Sequence, residues 1–162
     1  MQLQLNAVDV FKAAVMLEER AARFYTTAAA KASGQPRQLL LQLSEMETGH
    51  ARQFNLILDE LAVNSRGSDD SEEGADDFLQ ALTGDRVITR DCQIAEDDGY
   101  ETILEKAMQV EKNSVFFYTA VKEIMQEKMA AGAVDKIIQE EVTHFRMLND
   151  TLRDWRSQGG AR

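Results

Sequence analysis

The stretch Glu47-Thr48-Gly49-His50 recurs as Glu141-Val142-Thr143-His144, and these two copies hold the only two histidines of the 162-residue chain. Each copy sits in a run whose apolar residues return every three or four positions. Leu39, Leu43, Met46, Phe54 and Leu58 surround the first, and Val134, Ile137, Leu148, Leu152 and Trp155 surround the second. That period is helical, and residues three apart on a helix share a face, so each Glu and His can close on one ion. A single such pair arises often by chance on Glu-rich helices. Two pairs that use every histidine, on apolar faces and at equivalent places, point to metal ligation.

Upstream of each copy lies a second helical run. The first begins at Asn6, which can cap a helix with Asp9 three residues on, and continues through Val8, Phe11, Val15, Glu18, Ala22, Tyr25 and Ala29. Ser33-Gly34-Gln35-Pro36 stops it, and the proline suits the first turn of the next helix. The other run carries Tyr100, Leu104, Met108, Glu111, Val115, Tyr118 and Met125, and a turn is expected around Ala130-Ala131-Gly132. Laid over one another, the two halves match Glu18 with Glu111, Phe24-Tyr25-Thr26 with Phe117-Tyr118-Thr119, and Glu47, His50 and Arg52 with Glu141, His144 and Arg146. The chain is therefore a tandem repeat of one helical hairpin. An all-α four-helix bundle in a single domain spanning 1–162 follows, with helices expected at about 7–32, 36–62, 99–128 and 133–157.

Between the hairpins, from about 63 to 98, the helical pattern fails and acidic residues crowd together, from Asp69 and Asp70 to Asp97 and Asp98. A connection this long is expected to cross from one end of the bundle to the other. Within it, Asp77-Phe78-Leu79-Gln80-Ala81-Leu82 suggests a short helix and Arg86-Val87-Ile88-Thr89 an extended piece. The net charge of −10 argues against a nucleic-acid partner, because phosphates repel such a surface. One cysteine, Cys92, rules out an internal disulfide framework and any four-thiolate site built by this chain alone. The first residues show no signal-peptide pattern and no segment is long enough to span a bilayer, so a cytoplasmic protein without a membrane partner is expected.

Glu18 and Glu111 each fall in the seam of a first helix, seven residues before Tyr25 and Tyr118. With Glu47, His50, Glu141 and His144 they make six candidate ligands, in the pattern of a carboxylate-bridged dimetal bundle. Four carboxylates buried together would become protonated, whereas two divalent cations balance their charge. Mixed carboxylate and imidazole ligation suits iron or manganese, and the lack of thiolate argues against a closed structural zinc site. Glu19, Glu45 and Glu140 fall off the seam and are expected on solvated faces, although Glu140 lies one turn before His144 and could accept a hydrogen bond from a ligand. Tyr25 and Tyr118 are the candidate catalytic residues, in a redox role or as donors to a ligand carboxylate that a buried phenol would want as acceptor, and core packing is the alternative for both. The leucines, methionines and Phe117 are expected in the core.

The segments Leu17 through Tyr25, Glu47-Thr48-Gly49-His50, Glu111 through Tyr118 and Glu140-Glu141-Val142-Thr143-His144 resemble the rubrerythrin family of the ferritin-like superfamily. The resemblance covers both hairpins. It implies two iron ions, with manganese or zinc as possible replacements, bridged by Glu47 and Glu141. Glu18 with His50 would complete one ion and Glu111 with His144 the other. It further implies a homodimer and a peroxidase-type oxidoreductase that reduces hydrogen peroxide.

Two departures stand out. Well-studied rubrerythrins carry a rubredoxin domain with four cysteines, whereas here the chain ends soon after Trp155, so an external electron-donor protein is expected. They also carry an extra glutamate one turn after the third-helix ligand, where this chain has Ser114, and with that serine the ligand set resembles a bacterioferritin site. Ferroxidation, with Fe(II) as substrate and the acidic crossover as a collection surface, is the alternative enzymatic reading. A non-catalytic metal-binding or storage subunit is the third.

Overall fold

The computed structural model describes residues 6–64, 88–89, 92–124 and 128–160. Four helices make up the described fold: α1 (Ala7–Ala30), α2 (Gly34–Asn64), α3 (Tyr100–Ile124) and α4 (Lys128–Ser157). The Asn6 side chain accepts from the Asp9 amide at 2.9 Å and caps α1. Gly34 takes the left-handed conformation, φ 61°, that lets the chain reverse within a few residues into α2. Pairing is strongest between α1 and α2 and between α3 and α4, as two sequential hairpins require.

The break between α3 and α4 differs from the expectation. The expected turn at Ala130-Ala131-Gly132 is helical, and α4 begins at Lys128. Met129, Ala130 and Ala131 are strong helix formers that outweigh one glycine, whose cost in a helix is about 1 kcal/mol. The other boundaries move less, with α1 ending at Ala30, α2 running from Gly34 to Asn64 and α3 ending at Ile124. The short helix expected at 77–82, and Arg86 and Val87 of the extended piece, lie outside the described residues. Ile88 and Thr89 are described and form no strand.

The start of α3 lies beside the start of α2 and the end of α4, where Pro36, Leu39, Tyr100, Thr151 and Trp155 line one shallow depression. The 31 residues of α2 therefore separate the two ends of the connection, roughly 45 Å at 1.5 Å per residue.

The core divides into two apolar clusters. One joins Phe11, Ala14, Leu17, Phe54, Phe117, Val121 and Ile137 at one end, and the other joins Phe24, Ala28, Leu40, Leu43, Leu104, Val110, Cys92 and Leu148 at the other. Between them lies a buried polar layer of Glu18, Glu47, His50, Glu111, Glu141 and His144. The buried face of α1 is broader than its seam, since Val10, Leu17, Ala21 and Phe24 are also buried while Val8, Val15 and Ala22 are only partly so. A helix that meets both a hairpin partner and a neighbour from the other hairpin must present more than one stripe. Phe117 is buried, but Met16, Leu41 and Leu56 are exposed, so the leucines and methionines are not uniformly core. These three fall on the outward side of their helices, and scattered apolar surface residues are ordinary. No helix among the described residues is long and apolar enough to cross a membrane.

Phe54 and Leu56 lie two residues apart on α2 with opposite environments, 1% and 63% exposed. Phe54 packs on Phe11 and Tyr118 with ring centroids 5.4 and 5.8 Å away. Phe54→Ala should cost about 3–5 kcal/mol in denaturant unfolding, and Leu56→Ala no more than about 0.5. Similar losses for both would mean that the rotation of α2 is misplaced.

Candidate metal centre

Each helix contributes to the polar layer by its phase. Glu18 and Glu111 project inward from α1 and α3, and Glu-x-x-His does so from α2 and α4. The ligand-capable atoms form two overlapping groups, each within 4.8 Å: Glu18, Glu47, His50 and Glu141, and then Glu47, Glu111, Glu141 and His144. Glu47 and Glu141 belong to both. Glu19, adjacent to Glu18, is more than half exposed beside Arg23, and Glu45 is exposed.

Both imidazoles aim Nδ1 inward. His50 Nδ1 lies 3.0 Å from Glu47, 3.2 Å from Glu141 and 3.4 Å from Glu18. His144 Nδ1 lies 3.0 Å from Glu47, 3.7 Å from Glu111 and 3.8 Å from Glu141. The rings stack nearly parallel, 5.5 Å between centroids and 12° between planes. At the outer edge of the His50 ring, Nε2 meets Glu140 at 2.6 Å. Glu140 is thus no plain surface residue, and it serves the histidine of the other hairpin instead of nearby His144. Sequence spacing relates residues along one helix and could not reveal this contact across two.

The tyrosines also cross between hairpins. Tyr25 on α1 donates to Glu111 on α3, and Tyr118 on α3 donates to Glu18 on α1. Both phenols are fully buried, and burial together with the facing carboxylates pushes their ionisation well above the usual range. They remain protonated donors that fix one oxygen of each carboxylate. Ser114, one turn after Glu111, is 2% exposed and offers a hydroxyl in place of a further carboxylate.

Whether these residues suit a metal is decided by atoms left without partners. Glu18 Oε2, Glu47 Oε1, Glu111 Oε2, Glu141 Oε1 and His144 Nδ1 are buried and have no hydrogen-bond partner among the described residues. His144 Nδ1 and Glu47 Oε1 are 3.0 Å apart yet out of hydrogen-bonding geometry, so proximity does not satisfy them. Buried acceptors that converge without donors call for a cation. The same demand appears in the ionisation of the layer without metal. Burial lifts Glu18 to about 8, with His50 at 3.4 Å opposing the rise and the charge of Glu47 adding to it. Glu111 is raised chiefly by burial, and Glu141 is driven well above the carboxylate range by burial and then by Glu47, Glu111 and Glu18. Glu47 alone is held down, to about 2, because His144 and His50 outweigh its burial. His144 rises to about 9 and His50 rises further, since their carboxylate neighbours outweigh desolvation. Protons supply the positive charge that a metal would otherwise bring, and the donor set fits divalent ions.

Metal-free protein should therefore lose stability as pH rises. Glu18 takes up a proton on folding between its unfolded value of 4.5 and about 8, and His144 does so between 6.5 and about 9. Across both windows the folded state binds more protons, so stability falls with pH. Glu47 acts oppositely and only below 4.5. The melting temperature of chelator-treated protein should decline steadily from pH 5 to 9, and a rising profile would refute this electrostatic picture.

The sequence model of the family described as Rubrerythrin matches residues 9–152 of the chain. No curated protein matches it significantly. Among solved structures, a Thermotoga maritima protein described as ferritin-like and diiron-carboxylate aligns with a TM-score of 0.65 at 22% identity, covering 94% of this chain and 98% of that one. That likeness establishes the ferritin-like four-helix fold.

Proposed function

The chain belongs to the rubrerythrin family, and from that premise we propose that it is a di-iron oxidoreductase that reduces hydrogen peroxide with electrons from a separate donor protein. The observation that carries the reading is the pair of overlapping ligand groups sharing Glu47 and Glu141. Glu18 and His50 would hold one iron, Glu111 and His144 the other, and the shared carboxylates both. Two ferrous ions there would supply the two electrons that hydrogen peroxide takes up, with two protons, in becoming two waters.

The chain's own residues set the conditions for that reaction. The apolar clusters on either side of the polar layer limit water and keep the local dielectric low. Tyr25 and Tyr118 orient Glu111 and Glu18 and keep a proton within hydrogen-bonding reach of each. Hydrogen bonding to Glu140 holds the His50 ring with Nδ1 toward the carboxylates of Glu47, Glu141 and Glu18, where it would take an ion. Ferroxidation, in which added Fe(II) is the substrate, is a second reading favoured by one observation. Buried Ser114 stands where the better-known peroxidases place an extra glutamate, leaving six protein ligands.

Anaerobic iron loading should give about two ions per chain by elemental analysis, since four carboxylates balance two divalent ions. Glu18→Ala and Glu111→Ala should each lose metal while Glu19→Ala keeps both ions. Equal losses at Glu18 and Glu19 would count against the assigned ligands. Stopped-flow absorbance should then separate the two reactions: reduced protein should oxidise faster with hydrogen peroxide than with dioxygen. Faster oxidation by dioxygen, with Fe(II) consumed beyond two per chain, would establish ferroxidation in its place.

A further inference from the structure

The two halves of the centre are not equivalent. His50 Nε2 is tied to Glu140 at 2.6 Å, and the other carboxylate oxygen of Glu140 lies 3.8 Å from the Lys136 ammonium, which faces it outward. His144 Nε2 is buried and has no hydrogen-bond partner among the described residues. The repeat explains the difference. The alignment that lays Glu47 on Glu141 and His50 on His144 lays Met46 on Glu140, so the first hairpin carries a thioether where the second carries a carboxylate.

We infer that Glu140 is a positioning residue that makes the Glu18 and His50 half of the centre the tighter metal site and leaves the Glu111 and His144 half the weaker one. The inference rests on the two-metal reading above and adds an order of occupancy to it. A carboxylate accepting from Nε2–H keeps the proton on that nitrogen, so Nδ1 is the nitrogen left to take an ion, and it increases the electron-donating power of the ring. His144 has neither aid. Its Nε2 has no acceptor among the described residues to raise the donating power of the ring. Partners of this kind are worth about 10- to 100-fold in metal affinity, which sets the expected gap between the halves.

Anaerobic titration of the full metal-free chain with Co(II), followed by its visible absorbance, tests this directly. Two ions should bind in distinguishable steps, the first about 10- to 100-fold tighter. Glu140→Gln should weaken the first step by a similar factor and leave the second in place, with an altered first-step spectrum. Met46→Glu should tighten the second step and narrow the gap, which no purely structural role of Glu140 would produce. If Glu140→Gln fails to fold, Met46→Glu decides the matter alone. Two equal steps in the natural chain, or a first step indifferent to Glu140→Gln, or a gap indifferent to Met46→Glu, would overturn the inference while sparing the two-metal centre. Failure to bind two ions would overturn both.

Discussion

Four carboxylates buried within one layer of the bundle are the constraint around which the rest of the molecule is arranged. Glu18, Glu47, Glu111 and Glu141 are each at most 1% exposed, and an apolar cluster lies on either side. Ionised carboxylates in such surroundings are costly unless cations or protons answer them. The bundle provides partial answers from its own atoms: two inward imidazoles and two tyrosine hydroxyls. The remaining orphaned oxygens all face the same small volume. Demand for positive charge is thus concentrated where the four helices converge.

That concentration also explains how the hairpins are held together. Contacts within each hairpin dominate, and α1 meets α3 through far fewer. To the apolar clusters that span both repeats the polar layer adds directional links: Tyr25 to Glu111, Tyr118 to Glu18 and His50 to Glu140 all join one repeat to the other. Each is buried or partly buried, where a lost partner is more damaging than at the surface. The surface ties, such as Arg156 with Glu101 and Glu105 at 2.6 and 2.7 Å, are half exposed and contribute little by comparison.

Much of this arrangement is legible in the sequence, because a helix writes its buried face into a fixed period. Glu18 and Glu19 are chemically identical neighbours, and phase alone separates the buried one from the one beside Arg23. The repeat strengthens every such reading by offering it twice. What stays hidden is of two kinds. Local competition decides where α4 starts, because helix-forming residues on either side of Gly132 carry the helix through a position that reads as a turn. Contacts across the bundle depend on how helices are set against each other, and periodicity along one helix carries no such information. Glu140 is therefore off its own seam yet bonded to a histidine on α2, and Tyr25 serves the carboxylate of the opposite repeat and not the one seven residues before it.

The crossing of tyrosines between repeats has a consequence best stated as symmetry. Tyr25 with Glu111 and Tyr118 with Glu18 are related as the two contacts of an isologous interface, in which each partner gives what it receives. The chain is in this sense a two-fold pair of hairpins whose subunits have been joined by a covalent connection. In a pair of identical, separate hairpins, any substitution would strike both sides of the axis at once, and the two sides would remain alike. Joining them removes that obligation. Glu140 and Met46 occupy corresponding places and carry different chemistry, a distinction that an assembly of identical hairpins could not have encoded.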